Sequence, residues 1–513
     1  MPESELQVRD HGGTWCRVRD LDPARVSSRR QGRLMPTRYV ADRLIVRAVA
    51  DVESDTVVGM VRERAAARGL ELEETAFEEA ASRAAASGAP GARPGLAFRI
   101  LAGEQSTTHG DVWDLLDEVA DAVEGEDRRR VSLDHVLTGH GKWQGHGRPV
   151  GREPAVFLGP APRRALAGGA SPLTAADGTV RPVVAVLDSG IGTHPWFDEA
   201  TSVVLRGATL DGEPIGTGAE DEPLYDAEVR GRRRDDVAYL DTYAGHGTFI
   251  AGVVHQVCPD AAIMPVRIFG GDGRVREWDL ARTLEKLLEF HLRGVAGAAG
   301  YWPVDVVVLS GGFYAERPED DEDYEGVLRG RLRDLRRVGV LVVVSAGNDG
   351  STRPIFPAAW APRVRRTPDG AIPLSDADLC SDYTPLLPVT GDNPDGTLAD
   401  FSNDGPWVIA ARPGAHVLSS MPTTFDGAEL PWQSGDGLRR TVDPDNFSSG
   451  FGLWSGTSFA APVLAGELAA ALLQGRVPGS SAVPEPGTDS RVAAAWHAVT
   501  RVGDLYTEAP TPA

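Results

Sequence analysis

Gly456-Thr457-Ser458-Phe459-Ala460-Ala461-Pro462 is a run of mostly small residues that leads directly into the apolar segment Val463 to Leu473. The apolar segment predicts a helix, and the small residues predict a turn at its N-terminus. The first N–H groups of a helix have no partner within it, and the positive end of its dipole lies there, so negative charge developing at this point is favoured. A serine at such a turn suits a nucleophile. A hydroxyl there also suits a simple helix cap, which is the commoner use. Only partners elsewhere in the chain decide between the two.

The region before it alternates short apolar runs with helical patterns. Val183 to Leu187, Ile263 to Ile268, Val304 to Leu309 and Val340 to Ser345 read as strands; the region from Thr248, Trp278 to Leu292 and Tyr324 to Val338 read as helices. Continuous apolar strands are those buried on both faces, so the expected class is α/β, a parallel sheet sandwiched by helices. Ligands of such sheets gather at the carboxyl ends of the strands.

Polar residues stand at those ends. Asp188 follows Val183 to Leu187, Asn348 follows Val340 to Ser345, and His246 sits between two glycines in Gly245-His246-Gly247-Thr248 at a predicted helix start. Singly, each is an ordinary turn or structural residue. Together they match a need: a serine hydroxyl requires an imidazole to take its proton, a carboxylate to fix that imidazole's tautomer, and donors for the oxyanion. The order Asp188, His246, Ser458 is that of subtilisin; an α/β-hydrolase would place its serine in a G-x-S-x-G elbow, which Gly456-Thr457-Ser458 is not.

The stretches Val184 to Gly190 with His194-Pro195, Gly245 to Gly252, Ser345 to Gly350 and Ser455 to Pro462 resemble the Asp, His, oxyanion-Asn and Ser motifs of the subtilisin-like serine peptidases (subtilases). Leu309-Ser310-Gly311-Gly312 resembles the family's Ser-Leu-Gly segment, and Asp400 to Gly405 resembles a segment recurring before the Ser motif. The likeness covers about residues 181 to 475. It implies Asp188, His246 and Ser458 as the catalytic triad of a serine endopeptidase and Asn348 as oxyanion donor. It implies that Ser310, Gly311, Gly312, Ser345, Ala346 and Gly347 bind an extended protein or peptide substrate. Phe356-Pro357 resembles a family segment in which the bond before Pro is cis, and the same is expected here. The rival reading is a catalytically silent peptide-binding scaffold on the same fold. Departures are Gly311 where the family often has Leu, Ser189 in place of Thr, the long charged segment Ala200 to Asp241 including Arg230 to Asp236, and the inserted Thr424 to Gly452. No loop interrupts His246 to Ile268, so the family's best-known calcium loop is missing; no cofactor is required, and structural calcium is not predicted.

Ahead of this region, Tyr39 to Val49, Leu70 to Phe77, Leu96 to Leu101 and Val131 to Leu137 read as strands, with helices at Asp55 to Gly69 and Asp111 to Val123. This βαβ-βαβ order suggests a small α+β, ferredoxin-like domain. The expected division is an irregular arm over 1–36, that domain over 37–140, a linker over 141–180, the catalytic domain over 181–475, and a C-terminal helix and tail over 476–513. By position, the small domain resembles the family's inhibitory propeptide, which implies an intramolecular partner with residues from about 137 to 151 approaching Ser458. His135, His140 and His146 read as an exposed loop, without metal, and the acidic run Glu316 to Glu325 as a solvated loop or, more sharply, a bias toward basic peptides.

Composition bounds the rest. The 513 residues, 42% hydrophobic, suffice for one large and one small domain, and 52 basic against 74 acidic residues give a net charge of -22. That balance argues against nucleic-acid or anionic-membrane binding. Cys16, Cys258 and Cys380 offer neither a disulfide framework nor a metal knuckle, and Met1 to Leu6 lack a signal-like pattern; the expected location is cytoplasmic, without a membrane span.

Overall fold

The computed structural model describes residues 6–506 apart from 11–12, 30–32, 48–53, 77–94, 102–110, 140–151, 157–158, 199–202, 219–227, 229–239, 318–325, 368–369, 376–378, 428–430 and 477–487. The first part of the chain builds one sheet from β1 (Gln7–Arg9), β2 (Trp15–Leu21), β3 (Thr37–Arg47), β4 (Glu71–Ala76), β5 (Gly95–Leu101) and β6 (Val131–Gly139), with α1 (Thr56–Ala67) after β3 and α2 (Val112–Ala122) after β5. β3 lies between β6 and β5, and β4 lies outside β5, all antiparallel. Both helices start on an aspartate cap, Asp55 and Asp111, whose carboxylates accept from backbone N–H groups of the first turn. They cover one face, packing Val57, Val58, Val61, Leu115, Leu116 and Val119 against Leu44, Val46, Phe98 and Leu133.

The expected irregular arm over 1–36 is corrected. β2 pairs with the first half of β3, and β1 pairs with β2. The physical reason is a period of two over Trp15 to Arg19: Cys16 and Val18 are buried in one small core while Trp15, Arg17 and Arg19 between and beside them lie on the other face, exposed or half-buried, and Leu21 at the strand's end turns to that other face and joins the helix-covered core.

The second part is a parallel sheet of β7 (Val183–Asp188), β8 (Ala262–Arg267), β10 (Val306–Leu309), β12 (Leu341–Ser345), β13 (Leu386–Asp392) and β14 (Ala410–Pro413) in the order β8-β7-β10-β12-β13-β14. The helices are α3 (His246–Val257), α4 (Glu277–Val295), α5 (Val327–Arg337), α6 (Thr457–Arg476) and α7 (Thr488–Arg501). Val184 and Val186 of β7 face a core with α3 and α6, whereas Val183, Ala185 and Leu187 face a core with α4 and α5. Both faces are dry, as the unbroken apolar runs require. The order reverses at β7, and such a switch point opens a crevice at the strands' carboxyl ends.

Two edge pieces complete the frame: β9 (Arg274–Arg276), just before α4, and β11 (Gly311–Gly312), just after β10. Between β6 and β7, residues 165–166 are pinned by Asp260, which accepts from Ala165 N and Leu166 N. The peptide bond Phe356-Pro357 is cis, as expected. α6 is long and apolar enough to cross a membrane by length and composition, yet it is mostly buried and packs against α3 and the sheet.

Candidate active site

β7 delivers Asp188 to the crevice, where its carboxylate is buried and accepts from Ser189 N at 2.9 Å. His246 is the first residue of α3. Gly245 before it has φ +83, and a Cβ on Gly247 after it would lie 2.2 Å from the carbonyl oxygen of Gly190, so the two flanking glycines let the helix start against the strand end. His246 Nδ1 lies 2.9 and 3.0 Å from Asp188 Oδ1 and Oδ2. A carboxylate only accepts, so Nδ1 carries the proton and Nε2 of the neutral ring is left as the base. Nε2 is buried without a hydrogen-bond partner among the described residues.

Ser458 is the second residue of α6. The helix begins at Thr457, earlier than the expected Val463, and carries Pro462 within it. Proline has no N–H for the carbonyl four residues back, which is that of Ser458; Ser310 Oγ donates to this oxygen at 3.2 Å. The ring of Phe459, next to Ser458, lies 5.1 Å from that of His246. Asn348 is buried beside the same helix start: its Oδ1 accepts from Thr457 N and Thr457 Oγ1, both at 2.8 Å, and Gly347 N donates to Thr457 Oγ1 at 3.1 Å. Thr457 thereby fixes the oxygen end of the Asn348 carboxamide. The structure thus gathers Asp188, His246, Asn348 and Ser458 at one end of the sheet, with the Asp188–His246 pair formed and no bond from Ser458 to Nε2. Such bonds are often long before a substrate is seated.

Gly311 and Gly312, expected to pair with an extended peptide, pair antiparallel with Gly139 and Thr138 of the chain itself. On the other side Arg274, Val275 and Arg276 of β9 pair with Thr138, Leu137 and Val136. Residues 136–139 therefore run as a strand between two edges of the crevice. The expected approach of residues 140–151 to Ser458 lies outside the described residues. Gly311 does not leave an open wall: a Cβ there would meet the Phe269 ring at 2.7 Å. Ser345 and Ala346 are buried at the end of β12, and Ala346 N donates to Val389 O at 2.9 Å. Asn403, in the segment before the Ser motif, braces the next loop by accepting from Asp349 N and Ser351 N at 3.0 Å each.

His135 is not on an exposed loop. It is buried in β6 with Nδ1 and Nε2 each 2.8 Å from a carboxylate, Glu277 and Glu316, and it stacks on Phe313 with ring centroids 4.4 Å apart. Burial pushes its pKa down, but the two carboxylates outweigh it and raise it to about 10. Glu316 is likewise buried, not part of a solvated run; burial opposes its ionisation and His135 overcomes this, lowering its pKa. Residues 318–325 of that run, His140, His146 and Arg230 to Asp236 lie outside the described residues.

Three features were not legible. Tyr243 stacks on His246 with centroids 4.0 Å apart, and its hydroxyl lies 3.3 Å from Asp188 Oδ2 and 3.2 Å from Ser310 O. Burial, reinforced by Asp188, keeps this phenol protonated. Glu228 is buried beside the pair, accepting from Ser189 Oγ at 2.5 Å, from Gly245 N at 3.0 Å and from Thr248 Oγ1; a carboxylate suits the start of α3. β9 is a three-residue strand whose composition gives no signal. As for a metal, Asp426, Asp443 and Asp445 in the segment before the Ser motif bring carboxylate oxygens within 4.8 Å of one another.

Residues 180–490 match the family model described as the subtilase family, peptidase S8. The minor extracellular protease Epr of Bacillus subtilis (strain 168) is 24% identical over 197 residues, which are 36% of this chain and 24% of that protein, so the match spans about a quarter of that relative's length. Among solved structures, fervidolysin from Fervidobacterium pennivorans, described as a keratinolytic enzyme related to subtilisin, shares 16% identity with a TM-score of 0.42 over 85% of this chain and 55% of its own. A cold adapted subtilisin-like serine proteinase shares 16% identity with a TM-score of 0.36 over 61% and 79%. With well over half of its length matched by the family model, the chain belongs to the subtilase family.

Proposed function

We propose that this chain is a serine endopeptidase that works through Asp188, His246 and Ser458. His246 Nε2 takes the proton of Ser458 as the hydroxyl attacks a peptide carbonyl and later gives it to the leaving amine, while Asp188 holds the imidazolium that forms. The oxyanion is received at the start of α6, where Ser458 N–H and the carboxamide nitrogen of Asn348 are the donors and the helix dipole adds to them. No task in this scheme calls for a metal. The observation that supports it most is the Asp188–His246 pair at 2.9 Å, with Nε2 left unpartnered at the same end of the sheet as Ser458. Once the chain has been cut between about 137 and 180, by itself or by an added protease, a fluorophosphonate probe should label Ser458 in the wild type and not in Ser458→Ala; a cut wild type that stays unlabelled would leave the silent scaffold as the reading.

The substrate class follows from the edges. β9 and β11 offer backbone pairing on both sides of an extended strand, a mode that binds peptides and not compact esters. Because residues 136–139 already occupy those edges, the N-terminal domain acts as an intramolecular inhibitor, released by cleavage between about 137 and 180. Sequencing the new N-terminus after incubation tests this; full activity with an intact chain would refute it. The free thiols Cys16, Cys258 and Cys380 support action in the reducing cytoplasm.

A further inference from the structure

The strand lodged in the crevice meets Tyr243 at one residue, Gly139. A Cβ built there would lie 2.2 Å from Tyr243 Cζ and 2.3 Å from its hydroxyl oxygen, far inside contact distance. Tyr243 has nowhere to retreat. Its ring is stacked on His246 and meets Phe269 edge-on at 5.2 Å, and its hydroxyl is bound to Asp188 and Ser310 O. Gly273 closes in as well, where a Cβ would lie 2.8 Å from Tyr243 Cγ. Gly139 cannot swing away either: it is opposite Gly311, and its N–H donates to Gly273 O at 2.8 Å.

We infer that Tyr243 is a specificity-determining residue that restricts the peptide bound in this crevice to glycine at the position of Gly139. Continuing the antiparallel register of Thr138 with Gly312 and Gly139 with Gly311 by one residue sets the next residue of a bound peptide opposite Ser310, whose hydroxyl touches the carbonyl of Ser458. That next residue is the one whose carbonyl the serine reaches. The substrates are therefore extended peptides with glycine immediately before the residue whose carbonyl is attacked, a requirement that rests on the peptidase reading for its catalytic consequence but on sterics alone for binding. An overlap of this depth is relieved only by displacing the ring that lies on the general base, so a side chain is penalised in the rate as well as in binding.

The test uses the full chain after it has been cut between about 137 and 180, by itself or by an added protease that is then removed, with quenched-fluorescent peptides copied from residues 134–144, carrying Gly, Ala or Val in place of Gly139. The wild type is expected to favour Gly over Ala by about 100-fold or more in kcat/KM. Tyr243→Phe keeps the ring and should keep this ratio, and Tyr243→Gly should reduce it to a few fold; the ratio is taken within each variant, so general loss of activity cancels. Equal cleavage of the Gly and Ala peptides by the wild type, or an unchanged ratio in Tyr243→Gly, overturns the inference. A second measurement needs no catalysis. In a Ser458→Ala chain, adding Gly139→Ala should speed hydrogen exchange of the amides of residues 136–139, and adding Tyr243→Gly to both should restore protection. Unchanged exchange in the Gly139→Ala chain overturns the inference, whereas a wild type that, once cut, neither cleaves nor takes the fluorophosphonate refutes the peptidase reading and leaves this one to the exchange result.

Discussion

The hydroxyl of Ser310 donates to the backbone carbonyl of Ser458 at 3.2 Å, filling the bond that Pro462 cannot make. A proline inside a helix ordinarily leaves a carbonyl unpaired and bends the axis. In this protein the vacancy falls on the carbonyl of the candidate nucleophile, and a strand end answers it, so the first turn of α6 is tied to the sheet. Ser310→Ala is expected to lower stability by about 1–3 kcal/mol, the cost of leaving a buried acceptor unsatisfied. Urea denaturation measures it, and fluorophosphonate labelling of Ser458 should slow in parallel. Ser310→Thr, which keeps the hydroxyl, should recover most of both.

Removal of the candidate catalytic groups should separate their roles. Ser458→Ala or His246→Ala is expected to reduce peptide hydrolysis by about 10^6-fold, Asp188→Ala by about 10^4-fold, and Asn348→Ala by about 100- to 1000-fold, the scale of the corresponding losses in subtilisin. Combining Ser458→Ala with His246→Ala should cost little beyond either alone, because the two act as a unit. Steady-state kinetics on one peptide substrate decides; additive losses would speak against a shared proton-transfer step.

The clamp on His135 is expected to make docking of the N-terminal strand pH-dependent. Its pKa is raised above the ordinary value near 6.5, so the imidazolium's contribution is complete below about 6.5 and is lost as pH rises through about 10. Glu316, with a lowered pKa, adds a contribution that is present above its ordinary value and lost as pH falls through the lowered one. In a Ser458→Ala chain, the contribution of His135 to hydrogen-exchange protection of β6 should therefore be full below about pH 6.5 and decline as pH rises from there to about 10. His135→Gln should remove that alkaline dependence and weaken docking at neutral pH by about 3–5 kcal/mol, because it strands two buried carboxylates.

Asp305 ties three parts of the fold together. Its carboxylate accepts from Val183 N at 2.9 Å and pairs with Arg476 of α6 at 2.5 Å and with Arg491 of α7 at 2.8 Å. Burial pushes its pKa up, but the two guanidinium groups prevail and hold it well below the usual carboxylate range. A depressed pKa gives stability that is present above the unfolded value near 3.9 and lost as pH falls through the folded one. Asp305→Ala is expected to cost about 3–5 kcal/mol at pH 7, since it leaves the two arginines facing each other. Thermal unfolding as a function of pH should show the difference between wild type and variant shrinking in acid.

Local pattern and chemistry were legible in the sequence by itself. Val183 to Leu187 and Val340 to Ser345 are apolar at every position because both faces are buried, and that period alone specifies a parallel sheet under helices. The glycines around His246 and the small residues before Val463 mark the two helix starts, and the residue types at the strand ends name the chemistry. The strands of residues 7–9 and 15–21 were present too, as an alternation over 15–19 obscured by charge. What only the tertiary structure decided are the meetings of residues far apart in the chain, for which no local period exists. Tyr243 against Gly139, His135 between Glu277 and Glu316, and Ser310 beneath Ser458 each depend on the register of one segment against another, and register is set by packing and backbone pairing once the chain has folded.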